Sequence, residues 1–213
     1  MRLGDRVTPV QPFHLLETLR WTPGEGFALL DRHLDRLQAS ARYCGFTCPL
    51  PQVREALARE VASSDRDLRV RLLLASNGDV RTEQSPLELT TGVLRVAVAK
   101  TPIDPTDPFL YHKTTNRAQL ERERSPAYDE IIFWNPDGEI TETMTANIVV
   151  LLDGRQVTPP IACGLLGGTM RVELLASGTI GEARISIEQL RSVPRFWLVN
   201  SVRGWRQAIL IST

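Results

Sequence analysis

The sequence has 213 residues, of which 42% are hydrophobic, and its 25 Lys and Arg residues balance its 25 Asp and Glu residues. A formal net charge of zero excludes the basic surface with which a dedicated nucleic-acid-binding protein neutralises phosphates. The longest apolar run that we find, over 148–152, is far shorter than the roughly 20 residues that span a bilayer. We therefore expect neither a nucleic-acid partner nor a membrane-spanning segment.

The first residues and the cysteines bear on the compartment. Residues 1–6 carry one acid and two bases, and no apolar core of signal-peptide length follows them, so no export signal is expected. Cys44, Cys48 and Cys163 lack the paired spacing of a zinc site, and three histidines are too few for a histidine-rich metal centre. We expect free thiols in a reducing cytoplasm and no metal.

The start of the sequence predicts a hairpin and two helices. Two extended runs around a Pro/Gly turn predict the hairpin over 17–30. Apolar side chains at helical spacing predict a helix that begins with Asp31 as its cap and ends at Gly45. A second helix of about three turns is predicted over 53–61.

A proline-rich stretch divides the sequence. Strands precede it, at 68–74, 80–82 and 94–99, with Asn77-Gly78 as a hairpin turn between the first two. Three prolines within 101–108 can continue neither a helix nor a central strand. We therefore predict a small domain over 1–100, a linker over 101–109 and a larger domain over 110–213.

The second half predicts a mixture of helices and strands. One helix is predicted over 116–124, and a second helix is expected to open at the glycine-rich turn 164–169. Strands are predicted at 131–134, 147–152, 184–187, 196–199 and 208–211. The fold class is therefore α+β, with more strands than helices.

The glycine-rich turn is the first segment that could do chemistry. Glycines let a backbone come close to a ligand, and the amide groups and dipole of a helix start favour an anion such as a phosphate. The alternative is a flexible turn before an ordinary helix.

Lys113 follows the proline-rich stretch directly. A lysine at a domain junction can be partly desolvated, which lowers its pKa and suits it to imine chemistry with carbonyl compounds. The alternative is an ordinary solvated surface lysine.

Glu142 lies in a segment of small polar residues, over 138–147, which comes before an apolar strand. If its side chain faces inward, Glu142 is a buried carboxylate that needs a cationic partner. The alternative is an exposed acid in a loop.

Five motifs together resemble the class IV aminotransferase family, the fold-type IV enzymes that use pyridoxal 5'-phosphate. In chain order they are Leu16-Glu17-Thr18, His33-Leu34-Asp35-Arg36-Leu37, and the segments 112–117, 138–147 and 164–167. Within the family, the sequence is most similar to the aminodeoxychorismate lyases and to the lyase-like domain of bifunctional para-aminobenzoate synthases. The resemblance implies two α/β domains with the cofactor at their junction, and a homodimer.

The resemblance also implies roles for individual residues. Lys113 matches the lysine that binds the cofactor covalently and moves the proton, and Glu142 matches the acid that pairs with the protonated pyridine nitrogen. Arg36 matches the arginine that grips the cofactor phosphate, a role that suits its forked guanidinium.

The remaining implied contacts are to the phosphate and the substrate. The phosphate is expected on the backbone amides of Gly168 and Thr169, with Ser201 and Val202 as the other phosphate-side segment. Further residues stay candidates only: Met144 and Thr145 for the substrate pocket, and Arg20, Arg69 and Arg71 for substrate carboxylates. Arg117 stands near the position where many aminotransferases of the family carry a tyrosine, which fits the lyase branch better.

Three functions follow from the resemblance as hypotheses. The first is a lyase that converts 4-amino-4-deoxychorismate, a small amine, to 4-aminobenzoate and pyruvate for folate synthesis. The second is an aminotransferase for branched-chain or D-amino acids, and the third is a non-catalytic module that partners a synthase component. Residues 10–14 occupy the region where stand-alone members often have an extra strand, which suggests a fused origin and a synthase partner.

Overall fold

A computed structural model describes residues 12–89 and 91–211. These residues form two compact units, 12–89 with 112–116 and 91–111 with 117–211. Residues 1–6, for which we expect no export signal, and residues 10–11 of the atypical N-terminal region lie outside the described residues.

The first unit contains one antiparallel sheet and two helices. Its elements are β1 (Leu15–Thr22), β2 (Gly26–Phe27), α1 (Leu30–Cys44), α2 (Leu50–Val61), β3 (Leu68–Leu74) and β4 (Val80–Pro86). The four strands lie in the order β2-β1-β3-β4. Alternate residues of β3, from Leu68 to Leu74, pack with β1 and both helices in one apolar core, as the period of a half-buried strand requires.

Helix α1 confirms the prediction, except at its first residues. Gly45 ends the helix in the left-handed conformation, with φ of 73°, which glycine adopts without strain. Asp31 is not the cap, because His33 N–H already donates to the Leu29 carbonyl oxygen at 3.1 Å and the helix begins one residue earlier. Asp31 lies instead in the first turn, where an acid favours the helix dipole.

The second unit is built on an eight-stranded mixed sheet with three helices. Its strands are β5 (Leu94–Val98), β6 (Glu130–Trp134), β7 (Ile140–Thr143), β8 (Asn147–Leu152), β9 (Arg155–Thr158), β10 (Gly181–Glu182), β11 (Phe196–Asn200) and β12 (Gly204–Leu210). Its helices are α3 (Ala118–Glu121), α4 (Thr169–Ala176) and α5 (Ile187–Ser192). The strand order is β10-β9-β8-β11-β12-β5-β6-β7, and β7 also pairs with β8, so that six of the strands close into a ring.

Several predicted elements of the second unit need correction. The strand predicted over 184–187 is wrong, because α5 begins at Ile187 with a capping box formed by Ser186 and Gln189. The helix predicted over 116–124 is only the single turn α3. Strands β7, β9 and β10 were not predicted, since the first two have only four residues each and the third has two.

Strand β5 lies in the second unit, although the sequence analysis assigns residues up to 100 to the first domain. Its position follows from parallel pairing with β12 on one side and with β6 on the other. Both units combine helices and strands, so the mixed α+β class is confirmed. None of the helices in the described ranges is both long and apolar enough to cross a membrane.

Candidate functional site

Lys113 lies in a short segment that extends the first sheet. The Leu16 N–H donates a hydrogen bond to the Lys113 carbonyl oxygen at 2.9 Å, and Leu15 and Thr114 form an antiparallel bridge. These contacts fix the backbone of Lys113 beside β1. The lysine is half-buried, and Thr114 next to it is buried.

Lys113 is one of only two lysines in the sequence. The other, Lys100, is exposed and belongs to the second unit. Of the two lysine amines in the sequence, only that of Lys113 is partly desolvated.

Arg36 lies on α1 and forms an ion pair with Glu17 of β1. Its Nε donates to Glu17 Oε1 at 2.8 Å, and its Nη2 donates to Oε2 at 2.5 Å. The His33 Nδ1 lies 2.7 Å from the same Oε2. Glu17 and His33 are 2% and 1% exposed, so this cluster is nearly sealed from solvent.

The surroundings of Glu17 and His33 determine their charge states. Burial by itself raises the pKa of Glu17, but the charge and hydrogen bonds of Arg36, with help from His33, outweigh it and lower that pKa to about 2. Burial lowers the pKa of His33, and the nearby charges of Arg36 and Lys113 lower it further, against the opposing effect of Glu17. At neutral pH, His33 is thus a neutral ring whose Nδ1–H donates to the Glu17 carboxylate.

A second polar group in the first unit was not predicted from the sequence. The Ser40 hydroxyl lies 3.0 Å from Nδ1 of His112, and the His112 ring stacks on Tyr43 with ring centroids 4.2 Å apart. Burial lowers the pKa of His112. This contact holds His112, the residue before Lys113, against helix α1.

Glu142 is a buried carboxylate, which decides between the two sequence interpretations of that residue. It lies on β7, is 7% exposed, and its Oε1 accepts a hydrogen bond from the Leu166 N–H at 3.1 Å. Its cross-strand neighbour is Asn147 at the start of β8. Glu142 therefore lies beside the glycine-rich turn, at the β7–β8 pairing that closes the ring of strands.

Asn147 holds that turn from the other side. Its Nδ2 donates to the Leu166 carbonyl oxygen at 2.9 Å. A Cβ atom on Gly168 would clash with Asn147 Oδ1, and one on Gly164 would lie 2.6 Å from the Cδ1 of Ile103. The packing of the chain on itself therefore leaves little room for a side chain at either glycine, and Gly164 also has a φ of 100°, which favours glycine.

The turn leads into helix α4, as predicted. Gly168 is the residue before the first turn of the helix, and Thr169, the first helical residue, is 4% exposed. Arg171 is 1% exposed, and its Nη2 donates to the Pro159 carbonyl oxygen at 2.8 Å and to Glu182. This buried arginine, which the sequence analysis did not single out, ties the helix start to the sheet.

Ser201 and Val202 form the tight turn between β11 and β12. The Asn200 Oδ1 accepts hydrogen bonds from the N–H groups of Val202 at 3.1 Å and Arg203 at 2.8 Å. The Asn200 Nδ2 donates to the Thr145 carbonyl oxygen at 3.1 Å. Asn200 is thus the residue that shapes this predicted phosphate-side segment.

The arginines considered for substrate carboxylates lie on the first sheet. Arg20 pairs with Asp67 at 2.8 Å, and Arg71 pairs with Glu83 at 3.1 Å. Arg69 lies directly opposite Arg20 in the strand register, an arrangement of like charges that is unfavourable without acidic neighbours. Their role toward a substrate stays a prediction.

The residues considered for the substrate pocket lie in the second unit. Met144 is buried, and its carbonyl oxygen accepts a hydrogen bond from the Arg117 guanidinium. The Thr145 hydroxyl donates to Glu130, which is also buried. The three cysteines are free thiols, and the described ranges contain no group of three or more side chains suited to hold a metal ion.

The two units therefore hold different parts of the predicted site. Lys113 and Arg36 belong to the first unit, and Glu142, Gly168, Thr169, Ser201 and Val202 belong to the second. Within the second unit, Asn147 lies between the strand of Glu142 and the strand that leads to Ser201, because it pairs with Glu142 on one side and with Val199 of β11 on the other.

Comparisons with known proteins agree over nearly the whole chain. The model of the amino-transferase class IV family matches residues 14–211. A Schizosaccharomyces pombe protein provisionally named aminodeoxychorismate lyase is 32% identical over 210 residues, which cover 93% of this chain and 90% of that protein.

Solved structures share the fold. A provisionally named amino-acid aminotransferase from Mesorhizobium loti is 36% identical, covers 93% of this chain and 100% of its own, and has a TM-score of 0.88. A hypothetical aminotransferase from Mycobacterium tuberculosis, solved in a pyridoxal-phosphate-bound form, is 24% identical, covers 99% of this chain and 85% of its own, and has a TM-score of 0.77. These matches confirm the predicted fold class.

Proposed function

The chain belongs to the class IV amino-transferase family of pyridoxal-phosphate-dependent enzymes, and we propose that it is a lyase that converts 4-amino-4-deoxychorismate to 4-aminobenzoate and pyruvate. One observation carries this proposal. The relative that is named for this reaction is 32% identical and matches 93% of the chain. We propose that Lys113, a half-buried amine, and Glu142, a buried carboxylate, serve its chemistry.

The chemistry of these donor groups fits pyridoxal phosphate. Lys113 is a half-buried amine, which suits a covalent bond to an aldehyde. Glu142 is a buried carboxylate, which suits a protonated ring nitrogen. We propose that Arg36, the amides of Gly168 and Thr169, and the turn of Ser201 and Val202 take the phosphate.

The proposed reaction conserves all atoms of the substrate. The bond between the ring carbon and the enolpyruvyl oxygen breaks, a proton leaves the neighbouring amine-bearing carbon, and a proton ends in the methyl group of pyruvate. Pyridoxal phosphate, when bound, supplies the sink for the electrons of this step.

Lys113 and Glu142 would have different roles in this reaction. Lys113 would act as the general base that takes up the proton of the amine-bearing carbon. Glu142 would keep a proton on the ring nitrogen of the cofactor, because a carboxylate stabilises the protonated form of a nearby base.

The test is a direct assay of the purified protein with pyridoxal phosphate and 4-amino-4-deoxychorismate. We expect 4-aminobenzoate, measured by chromatography with fluorescence detection, and pyruvate, measured with lactate dehydrogenase, in equal amounts and without any added 2-oxo acid. Turnover that requires a 2-oxo acid would contradict the lyase proposal.

A second candidate is an aminotransferase acting on branched-chain or D-amino acids. The Mesorhizobium loti structure favours it, because that protein carries an aminotransferase name and is 36% identical to this chain. The distinguishing assay supplies 2-oxoglutarate and a panel of amino acids, and only this candidate forms glutamate. Cofactor uptake without turnover in either assay would indicate the third hypothesis, a non-catalytic partner module.

The proposal extends to assembly and location. We propose a homodimer, which sedimentation equilibrium would detect as twice the mass of the chain. We also propose a cytoplasmic location, consistent with the three free thiols. A synthase component is the proposed partner. Fractionation of cells and co-purification with the synthase component would test both.

A further inference from the structure

Glu17 is a buried carboxylate that the proposed reaction does not use directly. It is 2% exposed, and both of its oxygens accept hydrogen bonds from Arg36, at 2.8 Å from Nε and at 2.5 Å from Nη2. The Arg36 side chain is 14% exposed, so the arginine is closer to solvent than the acid that holds it. Glu17 therefore lies behind Arg36, on its buried side.

This contact sets the orientation of the guanidinium. A bidentate pair uses two nitrogens along one edge of the planar group, which fixes the plane of the guanidinium. His33 donates to the same carboxylate at 2.7 Å, and so restricts rotation of the Glu17 side chain. The guanidinium of Arg36 is therefore held in one orientation.

Stability alone is a poor explanation for this arrangement. Neighbouring positions on the same two elements, Leu15 and Leu19 on β1 and Leu34 and Leu37 on α1, form an apolar core. Burying an ion pair costs desolvation free energy, and apolar side chains of similar volume often stabilise a core at least as well. The charged pair in the midst of that core therefore indicates that the position of Arg36 matters.

We propose that Glu17 is a positioning residue that sets the orientation in which Arg36 receives the phosphate group of the cofactor. This inference rests on the proposed function, because it takes Arg36 as a phosphate ligand. It assigns to Glu17 no contact with the substrate and no step of proton transfer.

Orientation and charge make opposite predictions for the removal of this carboxylate. The negative charge of Glu17 opposes the approach of a phosphate, so its loss would tighten binding if charge were decisive. If orientation is decisive, loss of the bidentate contact lets Arg36 move and weakens binding. The sign of the change in affinity therefore tests the proposal.

The experiment compares dissociation constants for pyridoxal phosphate and for pyridoxal, which has the same ring and aldehyde but no phosphate. Absorbance titrations are made with the parent, with E17Q and with D31N. D31N is the matched control, because Asp31 lies on the same helix and also pairs with an arginine, Arg54, at 2.9 Å. The ratio of the two constants isolates the phosphate contact.

We expect the parent and D31N to favour pyridoxal phosphate to the same extent. In E17Q the preference should fall about tenfold, the size of effect expected for the loss of a charge-assisted hydrogen bond, with the pyridoxal constant unchanged. In an R36M background, E17Q should cause no further loss, because the group that Glu17 positions is gone.

Other results would overturn the proposal. An unchanged ratio in E17Q, a tighter constant for pyridoxal phosphate, or equal weakening of both ligands would each assign Glu17 a different role. Should E17Q fail to fold, E17D replaces it, since it keeps the charge but shortens the reach, and the same loss of preference is expected. A parent that takes up neither ligand would instead refute the proposed function.

Discussion

Each unit of the molecule buries a carboxylate of the candidate site, but the two are held in different ways. Glu17 in the first unit is held by the side chains of Arg36 and His33, which come from a different element. Glu142 in the second unit accepts a hydrogen bond from the backbone of Leu166 in a glycine-rich turn. Charge contributes to the first arrangement and the shape of a loop contributes to the second, so we expect different substitutions to disrupt them.

The largest expected effect concerns Lys113, the amine that lies in the first unit with Glu17. Replacing Lys113 with alanine should abolish lyase turnover, because the sequence has only one other lysine, Lys100, which is exposed. K100A is the matched control, and its turnover should equal that of the parent. Borohydride reduction followed by peptide mapping should find the cofactor on the peptide that contains Lys113.

Two results would break this assignment. Parent-like turnover of K113A would show that the chemistry does not need this amine. Cofactor found on the Lys100 peptide would move the amine from the first unit to the second.

The next effect concerns the carboxylate of the second unit. E142Q keeps the shape of the side chain but removes the charge that favours a protonated ring nitrogen, so we expect turnover to fall by about two orders of magnitude. The absorbance spectrum of the bound cofactor should change as well. E139Q is the control, since Glu139 belongs to the same unit but pairs with Arg184, and its turnover should stay within about threefold of the parent.

The sequence predicts those elements whose signal is local and repeated. Helix α1 repeats its apolar residues over 15 residues, and β3 alternates over seven, so both were predicted close to their observed bounds. Helix α5 has only six residues, too few for a periodic signal. Its capping box at Ser186 and Gln189 was the one feature that could have revealed it.

The partners of the site residues could not be predicted in the same way. Glu17 and Arg36 are 19 residues apart, and they meet only because α1 packs on β1. Likewise, Asn147 excludes a side chain at Gly168 only because β8 begins beside the glycine-rich turn. The sequence pattern suggested which residues matter, whereas the contacts that hold them depend on how distant elements pack.

A smaller effect tests whether loop shape governs the second unit. G168A should destabilise the chain by about 1 to 3 kcal/mol in urea unfolding, because its Cβ would clash with Asn147 Oδ1. G167A is the control, since a Cβ there would come only within 3.4 Å of the flexible Cδ1 of Ile161. The double variant N147A/G168A should recover part of the loss, and a failure to do so would mean that the clash is not the cause.

The smallest effect tests whether charge governs the first unit. All three histidines of the sequence, His14, His33 and His112, belong to that unit. Burial lowers the pKa of His33 and of His112 below the unfolded value of 6.5, so the unfolded chain binds more protons than the folded chain as the pH falls through 6.5. Stability conferred by these two rings is therefore complete above that pH and declines below it.

Hydrogen exchange resolves this effect by unit. After correction for intrinsic rates, protection of amides in 12–89 should fall between pH 7 and 5.5, while amides in 117–211 should keep theirs. H33N, which removes one of the two titrating rings, should show a shallower decline than the parent, whatever its absolute stability. An equal decline in both units, or a slope that H33N leaves unchanged, would mean that the buried histidines do not make the first unit the acid-sensitive one.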